Sequence, residues 1–140
     1  MLYNELCVSY IDNKAMSTNS LQPATTYPIV VGKVLHYLRR QKNLEQAALA
    51  RAVGVTQSTW SRIENGQSAL SVEQLAHAAS LLDVRPEQIL AMVGRSVQNL
   101  ERQGVRVELR RPAEGVSPGL VFIGAAALTA LLAAILSKSK

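Results

Sequence analysis

The stretch TQSTWSRIENG, from Thr56 to Gly66, mixes hydrogen-bonding side chains with apolar ones. Wound as a helix, it turns Trp60 and Ile63 to one side, because they lie three positions apart. The opposite side then carries carboxamide, hydroxyl and guanidinium groups, at Gln57, Ser58, Ser61 and Arg62. These groups donate and accept hydrogen bonds but contain no nucleophile paired with a base. The chemistry that this face predicts is recognition of a surface that has hydrogen-bonding edges.

The rest of the composition argues against other chemistries. The single cysteine, Cys7, has no partner for an internal disulfide, and His36 and His77 stand alone on helical patterns. The sequence shows no paired carboxylates, nucleophile–base set or phosphate-binding loop. We therefore expect no enzyme activity, no metal and no cofactor. A net charge of +5 and a pI near 9.7 favour a polyanionic partner such as nucleic acid or anionic lipid.

The elements that would position this face are short helices. Apolar residues recur with helical spacing through residues 27–93. Thr56 is the predicted N-cap of the third helix, and Ser71 begins a capping box for the fourth. Pro86 suits the first turn of a fifth helix that would end near Met92. Five short helices predict a compact all-α bundle.

Five of these positions have the spacing of a helix-turn-helix motif. They are positions 1, 5, 9, 15 and 18 of a twenty-residue block: Gln46, Ala50, Gly54, Trp60 and Ile63. Ala50 is small where two helices would cross closely, and Gly54 permits the left-handed backbone that ends the second helix. The sequence NLEQAALARAVGVTQSTWSRIENG, followed by SVEQLAHAASLLDV, resembles the Cro/CI-type (lambda repressor-like) DNA-binding domain of the XRE regulator family. The resemblance covers residues 29–93 and implies that family's five-helix fold.

The resemblance also implies roles for individual residues. In such domains the third helix lies in the major groove, which assigns base contacts to Gln57, Ser58, Ser61 and Arg62. Contacts with DNA phosphates are implied for six further residues: Gln46, Arg39, Arg40, Lys42, Asn65 and Gly66. Arg39 and Glu64 match a salt-bridged pair, for which a role near the phosphates and a purely structural tie are both open. Glu64 thereby joins the structural positions of the motif, which are Ala50, Gly54, Trp60 and Ile63.

The segments outside the bundle lead to three expectations. Residues 1–26 show no sustained period and are expected to be a disordered extension, with Met16 as an alternative start. Residues 94–118 form a basic linker or self-association segment, in which VRVEL alternates like a strand. Residues 119–137 contain no charge and predict a C-terminal apolar helix.

Two interpretations of this apolar helix stay open. The eighteen residues 119–136 would span ~27 Å as a helix, close to the ~30 Å of a bilayer core, which fits a membrane tail anchor. Arg110 and Arg111 just before it agree with a bundle on the cytoplasmic side. The many alanines fit an oligomerisation helix equally well.

We therefore expect a sequence-specific transcriptional regulator that contacts a two-fold-symmetric operator through residues 56–64. Its expected partners are double-stranded DNA, further copies of itself and, through residues 119–136, a membrane. The expected location is the cytoplasm, at the nucleoid, with or without a tether to the inner membrane. Two alternatives are a membrane-tethered Cro-like domain that acts as a protein-binding scaffold and the antitoxin of a toxin–antitoxin pair.

Overall fold

The structure is a computed structural model that describes residues 22–109, 120–122 and 125–138. Its helices are α1 (Tyr27–Gln41), α2 (Gln46–Val53), α3 (Gln57–Glu64), α4 (Val72–Leu81), α5 (Pro86–Arg102) and α6 (Ala125–Ser137). Its strands are β1 (Gln22–Thr26), β2 (Arg106–Glu108) and β3 (Leu120–Phe122). The alternative start at Met16, the arginines at 110 and 111 and most of the N-terminal extension lie outside the described residues.

Helices α1 to α5 enclose one core, as the predicted all-α bundle requires. Each helix turns its apolar stripe inward. The largest fully buried side chains come from four of the helices and from the residue that follows α4: Trp60, Leu35, Leu49, Ile89 and Leu82. Helices α2 and α3 contact each other, and α1 packs against both α3 and α5. The five-helix Cro/CI-type prediction is confirmed.

The approach of α1 to the end of α3 is unusually close, and a glycine makes it possible. A Cβ at Gly32 would collide with the carbonyl oxygens of Ile63 and Glu64. Because Gly32 has only a hydrogen there, α1 lies directly against the last turn of α3. This contact fixes the position of the helix that carries the predicted recognition face.

Three short strands accompany the bundle in a parallel sheet with the order β2-β1-β3. In β1, Ala24 pairs with Arg106 of β2 on one side and with Phe122 of β3 on the other. The strand expected within VRVEL is therefore present, but the expected disorder of residues 1–26 is wrong for 22–26. These residues form the central strand by pairing with partners that lie more than eighty residues away in the chain. The sequence did not predict this strand because no local pattern reveals such a pairing.

The fifth helix is ten residues longer than predicted. It continues past Met92 to Arg102 because Ser96 and Leu100 are fully buried and extend its inward stripe. The segment 94–118, expected to be a linker, therefore begins as helix and continues into β2.

The apolar run at 119–137 is divided, which corrects the prediction of one continuous helix. Its first residues pair in β3, and α6 begins only at Ala125. Leu128, Leu132 and Leu136 are almost fully buried, and α6 contacts α1 and α5 of its own chain. Within the part of the chain that the structure describes, no helix is both long enough and apolar enough to cross a membrane.

Candidate nucleic-acid interface

The turn between α2 and α3 has the backbone that the helix-turn-helix spacing predicts. Gly54 caps α2 in the left-handed conformation, with φ of 78°. Thr56 then caps α3, since its side-chain oxygen accepts a hydrogen bond from the Thr59 backbone N–H at 3.1 Å. Ala50 is 2% exposed beneath the crossing of the two helices. The turn therefore has a capping residue at each end, Gly54 for α2 and Thr56 for α3, and these caps define where α3 starts.

The two faces of α3 separate as the sequence predicts. Trp60 and Ile63 are buried in the core, with exposed fractions of 0% and 2%. Gln57, Ser58 and Arg62 are exposed, and Ser61 is half-buried beside them. The structure thus brings the four predicted base-contacting residues together on one outward face.

Behind this face, a buried carboxylate holds three helices together. Glu64 Oε1 accepts hydrogen bonds from Arg39 Nε at 2.6 Å and from Trp60 Nε1 at 2.7 Å. Its Oε2 accepts from Arg39 Nη2 at 3.1 Å and from Gln46 Nε2 at 2.9 Å, and it lies 3.0 Å from His36 Nδ1. We call Glu64, Arg39, Gln46, Trp60 and His36 the Glu64 cluster. It ties α1 and the start of α2 to the end of α3.

The electrostatics of the cluster keep Glu64 ionised. Burial raises the pKa of the Glu64 carboxyl, but hydrogen bonds from Arg39, Gln46, His36 and Trp60 outweigh it and lower the pKa to about 2. Arg39, a residue that is 5% exposed, supplies the compensating charge, and its Nη1 also donates to the Leu44 carbonyl oxygen at 2.7 Å. A buried pair of this kind contributes geometry as much as stability.

Gln46 connects the cluster to the outward polar face of α3, where Gln57 lies. Because its Nε2 donates to Glu64, its Oε1 is turned outward and accepts a hydrogen bond from Gln57 Nε2 at 3.3 Å. This fixes which end of each carboxamide is the donor. Gln57 retains its own oxygen and one N–H for a ligand.

The residues predicted to contact phosphate fall into two groups. Arg40 and Lys42 are exposed, although Lys42 Nζ also lies 3.5 Å from Asp83 Oδ2. Arg39, in contrast, is directed inward to Glu64, so the structure favours the structural tie over a role at the phosphates.

At the start of α2, the N-cap Glu45 makes no side-chain capping bond, which leaves the first N–H groups of this helix for an anion.

Asn65 and Gly66 lie at the end of α3 and are held by the protein itself. Asn65 Nδ2 donates to the Ser61 carbonyl oxygen at 2.9 Å, and its Oδ1 accepts from Lys33 Nζ at 3.4 Å. Gly66 has φ of 68°, its N–H donates to the Ile63 carbonyl oxygen, and a Cβ there would lie 2.6 Å from Ile29 atoms. Their evident role is to end α3 and pack it against α1.

Two members of the Glu64 cluster were not predicted as functional residues. The sequence showed His36 only as a lone histidine on a helical pattern and Trp60 only as a structural position of the motif. Their spacings contained a signal, since Trp60 lies four residues before Glu64 and His36 lies three before Arg39. Within the described ranges, no group of His, Cys, Asp and Glu side chains could hold a metal ion.

Comparisons with known proteins place this geometry in context. A family model described as a helix-turn-helix domain matches residues 30–92. The chain is similar to the clp gene regulator ClgR from Corynebacterium glutamicum, with 25% identity over 55% of this chain and 82% of that one and a TM-score of 0.53. It is also similar to the restriction-modification controller protein C.AhdI from Aeromonas hydrophila, with 31% identity over 44% of this chain and 94% of that one and a TM-score of 0.42. No curated protein sequence matches the chain significantly.

Proposed function

Because this chain belongs to the XRE-type helix-turn-helix family, we propose that it is a DNA-binding transcriptional regulator whose α3 enters the major groove. The observation that carries the proposal is the exposed polar face of α3, at Gln57, Ser58 and Arg62, on a helix whose other face is fully buried. ClgR, to which the chain is similar, is itself a gene regulator. The proposed function is DNA binding, without catalysis.

The hydrogen-bonding pattern of Gln57 supports a particular base. One of its N–H groups is directed to Gln46, so an oxygen acceptor and a second N–H remain. Adenine presents a donor at N6 and an acceptor at N7 in the major groove, which complements this pair. Arg62 complements the O6 and N7 acceptors of guanine in the same way. We expect each operator half-site to contain both bases.

Phosphate contacts would orient the domain on the duplex. The start of α2, with its uncapped N–H groups, and the exposed cations Arg40 and Lys42 are the groups suited to this role. Each phosphate that is neutralised releases counterions, so the affinity should fall steeply with salt.

A two-fold operator requires two copies of the recognition helix. We propose that the chain binds as a dimer or higher oligomer, with half-sites about one helical turn apart. Residues after Gly94 would supply part of the self-association. The proposed location is at the nucleoid, in the cytoplasm.

The test is a selection of duplexes from a random library by the full-length protein, followed by fluorescence anisotropy on the enriched sequence. We expect an inverted repeat, and we expect Gln57→Ala and Arg62→Ala each to weaken binding by about 5- to 150-fold, the equivalent of ~1–3 kcal/mol. Gln98→Ala, at an exposed position of α5, is the matched control and should bind normally. No enrichment, or unchanged affinity in both α3 variants with far-UV circular dichroism intact, would refute the proposal.

A further inference from the structure

The sheet ends at β2, whose inner edge pairs with β1. Among the strands that the structure describes, none pairs with the outer edge of β2. Backbone N–H and C=O groups on an open edge form a template for a further strand. We call this outer edge, over residues 105–109, the β2 edge, and it is a candidate interaction surface.

Successive side chains along the β2 edge lie on opposite sides of the sheet, and the two sides differ in chemistry. Val105 and Val107 pack against the core of the bundle. On the other side, Arg106 Nε lies 3.8 Å from Glu108 Oε1. Leu109 follows on the valine side and is 84% exposed. A strand that pairs here must therefore match one cation and one carboxylate, and it would cover an exposed leucine.

A second copy of β2 matches this edge in one register. In an antiparallel pair around a two-fold axis perpendicular to the sheet, the numbers of facing positions have a constant sum. With the axis at Val107, Arg106 faces Glu108 of the second copy, and Glu108 faces its Arg106. Val107 then faces its own counterpart, and Leu109 faces Val105 of the second copy. Facing pairs of opposite charge and of β-branched side chains stabilise paired strands.

The same charges disfavour the neighbouring registers. With the axis at Arg106, the two Arg106 side chains would face each other, and with the axis at Glu108 the two carboxylates would do so. Like charges at facing positions destabilise a pair of strands. An axis between two residues would bring side chains from opposite sides of the sheet to facing positions, which breaks the pleat. The order of charges along β2 therefore selects the register centred on Val107.

We propose that the β2 edge pairs antiparallel with the β2 edge of a second copy, with Val107 at the two-fold axis, and joins two sheets into one. The proposal names a surface for the self-association proposed above and rests on it, but it does not depend on DNA binding. A short pair of strands buries little area, so we expect a weak dimer in the absence of DNA, with a Kd of about 10–100 µM.

Charge reversal tests both the surface and the register. In Arg106→Glu, two carboxylates meet at each facing pair, and in Glu108→Arg two guanidinium groups do. When the two variants are mixed, every facing pair again has opposite charges. By sedimentation equilibrium of the full-length protein without DNA, we expect each single variant to associate at least ~10-fold more weakly than wild type. The equimolar mixture and the double variant Arg106→Glu/Glu108→Arg should both regain association.

The matched controls make the same charge changes at exposed positions of α2 and α4, with Arg51→Glu and Glu73→Arg, and should associate as wild type does. Circular dichroism at ~5 µM, below the expected Kd, establishes that each variant is folded. Wild type that stays monomeric up to ~500 µM would overturn the proposal. If both folded single variants associate as wild type does, self-association uses another surface and the β2 edge is wrong. If the mixture stays monomeric, the register centred on Val107 is wrong.

Discussion

At the scale of single residues, Glu64 connects the helix that carries the outward polar face, α3, to α1 and α2. Its carboxylate is 2% exposed and is compensated by Arg39, while Trp60 and Gln46 donate to it from α3 and α2. Removal of one charge of such a buried pair leaves the other without a partner, which is costly. We therefore propose that Glu64 is a positioning residue that would act on the proposed base contacts through Gln46 and Gln57.

The variant Glu64→Gln tests this role through its pH dependence. We expect it to lower the free energy of unfolding by about 3 kcal/mol at pH 7, because Arg39 loses its counter-charge. The folded pKa of Glu64, about 2, lies below the ordinary value of 4.5, so its stabilisation is present above pH 4.5 and is lost as pH falls toward 2. Urea unfolding at several pH values should therefore show the difference between wild type and variant shrinking across this window.

Glu101→Gln is the matched control for this measurement, since Glu101 is exposed on α5. It should change stability by less than about 0.5 kcal/mol. A Glu64→Gln penalty that stays constant between pH 5 and pH 2 would show that lost charge is not its cause.

At the scale of elements, the contact of α1 with the end of α3 depends on Gly32. Its missing side chain admits the carbonyl oxygens of Ile63 and Glu64, whereas Gly94 in α5 has open space where its Cβ would be. Both are helical, so replacement by alanine gains the same helix propensity at each, up to about 1 kcal/mol. The two positions differ only in what the new methyl group meets.

We expect Gly32→Ala to destabilise the protein by about 2–3 kcal/mol through overpacking, and Gly94→Ala to stabilise it slightly. Chemical denaturation of the two variants side by side measures the difference. Equal stabilities would mean that α1 and α3 are farther apart than described. A loss of DNA affinity in folded Gly32→Ala, in excess of the loss in Gly94→Ala, would further link this contact to the position of α3.

At the scale of the whole molecule, α6 and the sheet join distant parts of the chain to the bundle. Helix α6 contacts both α1 and α5, and β1 pairs with strands that follow α5. Leu128, Leu132 and Leu136 place an apolar stripe against the bundle at every fourth residue. The described elements therefore share one continuous core.

If α6 belongs to this core, Leu132→Ala should cost about 2–5 kcal/mol of stability, the range for a leucine that leaves a cavity. Leu109→Ala is the control, because Leu109 is 84% exposed and its replacement should cost less than about 0.5 kcal/mol. Thermal unfolding of the full-length protein, followed by circular dichroism, compares the two. Equal melting temperatures would show that α6 does not contribute to the core.

The sequence by itself determined the parts of the protein that depend on neighbours in the chain. The helical spacing of apolar residues predicted α1 to α4 and the separation of Trp60 and Ile63 from the outward side of α3. Capping chemistry located Thr56 and Ser71, whose side chains both cap as expected. Gly54 was predicted to be left-handed from its position in the motif. These features follow from interactions within three or four residues, which a single sequence contains.

Only the tertiary structure decided the features that depend on distant residues. Arg39 could serve a phosphate or Glu64, and the answer came from the packing of α1 against α3, 25 residues apart in the chain. Strand β1 exists because β2 and β3 lie beside it, and the apolar run ends as α6 because a groove between α1 and α5 accepts its leucines. Hydrogen-bond partners and buried apolar surface are supplied by the folded neighbours, so local patterns do not contain them.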